Sequence, residues 1–284
     1  MEKQLLGIQD RITQCLSSTV LGRLGMDCRG LFASGKMLRA RLLLRLAQAR
    51  RASAAAWLPP ACAVEMLHTA SLLHDDVLDG GELRRHLPAF WTQYGVSASI
   101  LAGDLIVGKA FALLLERGRA RGDLLDLARY TTDVCEAEIE QEMLYRGKRP
   151  GAGICMALNR GKTGSLFAFS ATRSAGRHPK QKAVLEDIGY DIGLCYQLAD
   201  DYLDAHGSEK TAGKTLGRDA ARRKRTSAGA SDRPSSLAAF MAKTQRRSRK
   251  ALQPWPELQQ ALAAYFEEDF NPVIAKLLGK AAGS

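Results

Sequence analysis

The chain has 284 residues, of which 46% are apolar and 25% charged, with a formal net charge of +11. This is an ordinary balance for a soluble globular chain with a sizeable core, which excludes general disorder and is long enough for one domain over residues 1–284. The six cysteines (Cys15, Cys28, Cys62, Cys135, Cys155, Cys195) form no C-x-x-C pair and have no histidine at metal-ligand spacing, so they read as reduced, buried packing residues.

Apolar residues recur at three- and four-residue spacing while strand-like alternation is scarce, so an all-α fold is expected. The opening "MEKQLLGIQDRITQCLSS" mixes charged and apolar residues and lacks the core of a signal peptide, which makes a cytoplasmic protein the expectation. "SGKMLRAR" next sets Lys36 and Arg39 three apart. Prolines mark breaks near Trp57–Pro60, after Arg85, near Arg149–Gly153 and after Arg177. Between the first two breaks runs "SLLHDDVLDGGELRR", with Asp75, Asp76 and Asp79 inside an apolar segment and Arg84 and Arg85 behind them.

The stretch "YGVSASILAGDLIVGKAFALLLE" is the most membrane-like, but Asp104 and Lys109 near its middle would each cost about 2.5–3.5 kcal/mol at a bilayer centre. A buried helix of a soluble protein is expected there. "RGKTGSLF" carries Lys162 and Thr163, and "GYDIGLCYQLADDYLD" brings a second acidic set, Asp200, Asp201 and Asp204. From Ala205 to Ser236 the chain is rich in Gly, Ser, Lys and Arg with little apolar periodicity, which predicts a long flexible loop of the lid type. The basic runs "DAARRKRTSAGASDRPSS" and "KTQRRSRKALQ" lack interleaved aromatics, so nucleic acid is not expected as a partner; they read as solvated surface with weak peripheral contact to anionic membrane.

Positions four apart share a helix face, so Asp75 and Asp79 lie on one stripe with Asp76 beside them and His68 and Glu65 upstream. Leu67, Leu73, Val77 and Leu78 read as the core side of the same helix. Asp200 and Asp204 repeat the pattern, with Gln197 and Gly193 on their stripe. Carboxylates on a buried helix repel one another and lose hydration, so they need cations. Two D-D-x-x-D clusters facing each other across a bundle suit a hard divalent ion, and Mg²⁺, which shares its ligand sites between carboxylates and phosphates, points to a diphosphate.

At these residues the chain resembles the trans-isoprenyl diphosphate synthase (polyprenyl synthetase) family. "HTASLLHDDVLDGGELRR" and "YQLADDYLD" are similar to its two aspartate-rich motifs, and "ILAGDLIVGKAF", "EIEQ", "GKTGSLF" and "GKTLGRD" follow in family order. The resemblance implies an isoprenoid-synthase-type helical bundle around a deep central cavity, usually a homodimer. It implies that Asp75, Asp76, Asp79, Asp200, Asp201 and Asp204 bind Mg²⁺, three ions per site, bridging to an allylic diphosphate. Arg84, Lys162, Gln197, Lys214 and Lys224 would hold that diphosphate, Lys162 as part of the catalytic set, with Thr163 supporting it. Gly35, Lys36, Arg39, His68 and Arg85 would hold isopentenyl diphosphate.

The activity implied is head-to-tail condensation of the two diphosphates. Ala70, five residues before the first aspartate, with Ser71 and Met66 nearby, is small where a bulky aromatic would stop growth, which implies a long-chain trans-polyprenyl product unless Val107 or Phe111 closes the cavity. The chain departs from the family's usual Gly-Gly-Lys-Arg-x-Arg-Pro at Ser34, Met37 and Ala40, has His86 where glycine is usual, and lacks the usual continuation after Lys224. The alternatives are a non-catalytic partner subunit of a heteromeric synthase, disfavoured by six retained aspartates, and a class I terpene synthase, disfavoured by the second D-D-x-x-D.

Overall fold

The computed structural model describes residues 1–33, 35–116, 121–148, 150–175, 178–207, 209, 214–215 and 234–282. The chain runs α1 (Glu2–Ser17), α2 (Val20–Arg23), α3 (Gly30–Ala33), α4 (Leu38–Ala49) and α5 (Ala54–Asp79). A small hairpin, β1 (Leu83–Arg84) and β2 (Leu87–Pro88), precedes α6 (Phe90–Tyr94), α7 (Val96–Leu115) and α8 (Arg121–Glu140). Next come a π-helical turn (Gln141–Tyr145), α9 (Ala152–Asn159), a second π turn (Arg160–Gly164), α10 (Ser165–Thr172) and α11 (Pro179–His206). The chain closes with α12 (Pro234–Ala251), α13 (Pro256–Ala264), a third π turn (Tyr265–Phe270) and α14 (Asn271–Ala282).

The all-α expectation is met. Ile8 and Ile12 of α1, Met66 and Leu73 of α5, Ile106 of α7 and Tyr130 of α8 close over one apolar cluster. Phe167 of α10, Leu185 and Ile192 of α11, and Tyr265 and Phe266 near the C-terminus fill another. Helix α4 joins them, giving Leu43 and Leu44 to the first and Leu42 and Leu46 to the second. Each such side chain stabilises by about 1.5–3 kcal/mol when fully buried.

Several expectations need correction. Pro59 and Pro60 lie inside α5 rather than at a break, because they fall near its start, where the carbonyls they crowd belong to the exposed first turn at Ala55 and Ala56. Leu78 is 46% exposed, since it sits on the last turn of α5, beyond the reach of the packing partners that cover Leu73. Helix α7 is buried on one side only: Ala102, Ile106 and Ala110 face the core, whereas Val96, Ile100, Leu101 and Leu115 are exposed. It is the one helix among the described residues with the length and apolarity of a membrane span. Cys135 is exposed, unlike the other cysteines. The ends of the expected loop are helical, with α11 continuing to His206 and α12 starting at Pro234; most of the chain between them is outside the described residues.

Immediately after the first acidic segment the chain reverses in the hairpin. Leu83 pairs with Pro88 and Arg84 with Leu87, leaving Arg85 and His86 as a two-residue turn with φ of 56° and 65°. Both angles are those of a type I′ turn, which favours Asn-Gly; a side chain in this region costs roughly 1–2 kcal/mol. Glycine at position 86 would remove that strain there.

Helices α10 and α11 meet almost backbone to backbone. A Cβ on Gly193 would lie 2.4 Å from the Cα of Gly164, and one on Gly189 would lie 2.5 Å from the nitrogen of Ala168. Gly193→Ala is therefore expected to cost about 1–3 kcal/mol through overpacking. Gly153→Ala, where nothing lies within 4 Å, is the control and should be neutral or mildly stabilising. Equal melting temperatures for the two variants would contradict the close contact.

Candidate active site

Both acidic sets sit at the C-terminal ends of long helices. Asp76 is 3% exposed and Arg84, carried on β1, grips it with two nitrogens, Nε lying 3.0 and 3.2 Å from the two carboxylate oxygens. Beside it Asp75 is pushed up to about 7, by burial first and then by Glu138 and Asp79, against the opposing pull of Lys162 and Arg84. Arg84 is held charged by Asp76, Asp75 and Asp200 despite its burial, so one guanidinium feels both acidic sets.

On α11 Asp201 is 4% exposed and accepts hydrogen bonds from Gln197 Nε2 at 2.7 Å and Asn159 Nδ2 at 3.3 Å. Asp200 accepts from Lys214 Nζ at 2.8 Å, which holds its carboxyl below the usual range although burial alone would raise it. Asp204 lies one turn further along and adds its field to that at Lys214. Thr215 anchors this lysine: its Oγ1 accepts the N–H groups of Glu82 and Leu83, each at 3.0 Å, and its own N–H donates to the carbonyl of Leu83 at 3.3 Å. Lys214 and Thr215 are thus docked on the edge of the hairpin.

Lys162 lies in the second π turn, 2.5 Å from Glu138 Oε2 and 2.7 Å from Gln141 Oε1. Thr163, its neighbour, donates to Gln197 Oε1 at 2.7 Å, so Thr163, Gln197 and Asp201 form a chain. Gln197 therefore has both ends of its amide engaged within the protein, and Thr163 supports the glutamine rather than the lysine.

A second cationic group gathers beside the first acidic set. Gly35 adjoins the Arg85 guanidinium, from which a Cβ would stand 3.3 Å. Lys36 Nζ lies 5.6 Å from the centre of the Tyr196 ring, and the Arg39 guanidinium 4.6 Å from that of Phe167. Burial and neighbouring arginines push Arg39 and Arg85 down, and burial with Arg39, Arg85 and Arg84 drives His68 well below 6.5, keeping its imidazole neutral. Like charges drawn together with little water mark an anion site. Lys224 lies outside the described residues.

Among the described residues no three His, Cys, Asp or Glu side chains converge on one point. Magnesium does not require such a cage, because it keeps waters and shares substrate phosphates. The donor set fits it: the oxygens are hard, and Asp75, near 7, is a half-buried carboxylate short of positive charge. Ala70 and Met66 are buried in the cluster on which Val107 and Phe111 pack, and Ser71 donates to the carbonyl of His68 at 2.9 Å. A cavity of about 320 Å³ lined by Leu43, Trp57, Arg173 and Ser174 lies at the other end of α5, roughly 27 Å from Asp75 by helix rise. Glu138, Gln141, Asn159, Tyr196 and Thr215 carry no assigned role in the sequence, although the quoted "EIEQ", "YQLADDYLD" and "GKTLGRD" hold all of them except Asn159.

Comparison with known proteins gives the family. The polyprenyl synthetase family model matches residues 27–250. The short chain isoprenyl diphosphate synthase of Methanothermobacter thermautotrophicus is 35% identical over 201 residues, 68% of this chain and 62% of that protein. The farnesyl diphosphate synthase of Geobacillus stearothermophilus is 33% identical over 68% of this chain and 70% of its own length. The alignment thus spans under two thirds of the Methanothermobacter protein. Among solved structures, the Caulobacter crescentus polyprenyl synthase complexed with calcium and isoprenyl diphosphate superimposes with a TM-score of 0.73 at 30% identity, covering 99% of this chain and 88% of that one. With the paired aspartate sets, their cations and this match over most of its length, the chain belongs to the polyprenyl synthetase family.

Proposed function

We propose that the protein is a prenyltransferase that condenses isopentenyl diphosphate with an allylic diphosphate and releases a long-chain trans-polyprenyl diphosphate. The observation that carries this reading is the presence of two acidic helix ends, with Arg84 bound to one and within the field of the other, beside a separate cationic cluster at Lys36, Arg39 and Arg85. One group of residues suits a metal-bound diphosphate and the other a diphosphate without metal. The Caulobacter relative, solved with calcium and isoprenyl diphosphate, supports the same substrate class.

Asp75, Asp76, Asp79, Asp200, Asp201 and Asp204 would hold Mg²⁺, which supplies positive charge against the leaving diphosphate. Arg84, Lys162 and Lys214 add fixed cationic charge on the same side, where it stabilises the diphosphate as the allylic C–O bond breaks. The double bond of isopentenyl diphosphate, held by Lys36, Arg39 and Arg85, attacks the allylic carbon, and the carbocation so formed loses one proton to the released diphosphate, giving the new double bond. Neutral His68 contributes a hydrogen bond rather than charge. A cytoplasmic setting belongs to the same proposal. So does a homodimer, because Leu101, Leu125 and Ile139 present large exposed apolar side chains on α7 and α8; a monomer in sedimentation at micromolar concentration would refute it.

Incubation with Mg²⁺, farnesyl diphosphate and labelled isopentenyl diphosphate, followed by chromatography of the dephosphorylated products, tests the activity. A ladder ending in one long prenyl alcohol is expected, and no incorporation by folded protein would refute the function. Asp75→Ala and Asp200→Ala should each lose at least about 10²-fold in turnover with folding intact; near-wild-type rates would remove the metal-site assignment. Ala70→Phe should shorten the product, and an unchanged distribution would put the cavity floor elsewhere.

Proton and metal compete for Asp75, whose carboxyl is raised to about 7. Below that pH the protonated form dominates, so apparent Mg²⁺ affinity should fall by up to about tenfold per unit as pH drops and level off above it. Magnesium titrations between about pH 6 and 8 check this; an affinity flat across the range would contradict it.

A further inference from the structure

We infer that Glu65 is a positioning residue for the isopentenyl diphosphate subsite, acting through the main-chain N–H of Ala40. This rests on the function proposed above. Helix α4 is entered through Met37 in the left-handed conformation (φ 49°), and no side chain of its N-cap residue bonds its first turn. The N–H groups of a first turn have no acceptor within their own helix. Ala40, the third residue of α4, is 0% exposed, so its N–H cannot turn to water. Glu65, itself only 5% exposed, reaches across from α5 and accepts this N–H at 2.9 Å.

The bond ties the turn that carries Arg39 to the helix that carries His68 and the first acidic set. Two further bonds pin the same turn: Arg41 Nε donates to the carbonyl of Lys36 at 3.1 Å, and the Tyr265 hydroxyl donates to the carbonyl of Leu38 at 3.2 Å. Arg39 lies against the Phe167 ring and its buried Nε has no hydrogen-bond partner. Its placement therefore rests on that ring contact and on the backbone of its turn.

Glu65 also faces the charges of Arg39 and Arg85, so a counter-charge role is the competing account. Conservative variants separate the two. Glu65→Asp keeps the charge and withdraws the acceptor by one methylene; its KM for isopentenyl diphosphate should rise about tenfold, with the KM for farnesyl diphosphate within about twofold of wild type. Glu65→Gln keeps an acceptor and loses the charge, and should stay within about threefold for both substrates. Ala40→Pro removes the donor, so adding Glu65→Asp to it should change the isopentenyl diphosphate KM by less than about threefold.

A Glu65→Gln variant more damaged than Glu65→Asp, an unchanged KM in Glu65→Asp, or equal rises for both substrates would overturn the inference. Wild-type protein that incorporates no isopentenyl diphosphate would instead defeat the functional reading. Amide exchange at Ala40 then decides, since it does not depend on turnover. It should quicken at least about a hundredfold in Glu65→Asp and not in Glu65→Gln; unchanged exchange in Glu65→Asp would overturn the inference.

Discussion

Carboxylates withdrawn from water are tolerated only where cations or hydrogen-bond donors face them, and six aspartates on two largely buried helix ends impose that requirement throughout this molecule. Arg84 meets it for Asp76, Lys214 for Asp200, and Gln197 with Asn159 for Asp201. Asp75 is left under-compensated, with Glu138 and Asp79 adding to the effect of burial. The imbalance is local and lies where a divalent cation would remove it. A site balanced entirely from within would bind metal only by first breaking its own ion pairs.

Supplying those cations constrains the backbone. Arg84 reaches Asp76 because the chain reverses in a two-residue turn, and the reversal places Arg85 and His86 at positive φ. Lys214 reaches Asp200 because Thr215 is bonded to the outer edge of the same hairpin. The short hairpin, a minor feature of an otherwise helical chain, thus positions one cation directly and another through Thr215. Lys162 and Gln141 lie in two separate π turns, whose wider winding changes the direction in which side chains project; such turns are frequent at functional sites.

The other half of the site depends on packing. Arg39 and Arg85 lie close enough to lower each other's pKa, and this repulsion is borne by aromatic rings and by Glu65. On the acidic side, the contact between Gly164 and Gly193 joins α11 to the turn before α10 and lets Thr163 reach Gln197. Large side chains at those glycines would separate the helices and break the chain of bonds leading to Asp201. The electrostatic site therefore rests on steric permissions made some distance from the charges.

Much of this was legible in sequence, because helical periodicity and residue chemistry are local properties. The three- and four-residue apolar spacing gave the all-α fold, and the two D-D-x-x-D repeats inside apolar helices identified both acidic sets and their need for cations. Composition could not reveal that Pro59 and Pro60 would be absorbed into α5, that α7 would leave one apolar side exposed, or that Arg85 and His86 would form a hairpin turn, since each depends on neighbours distant in the chain. The pairing of Arg84 with Asp76, Lys162 with Glu138 and Glu65 with Ala40 was likewise beyond the sequence. Local patterning determines which residues can carry charge on one helix face. Which cation neutralises which carboxylate is decided only when distant segments pack, because Coulomb and hydrogen-bond energies depend on separations that chain order does not specify.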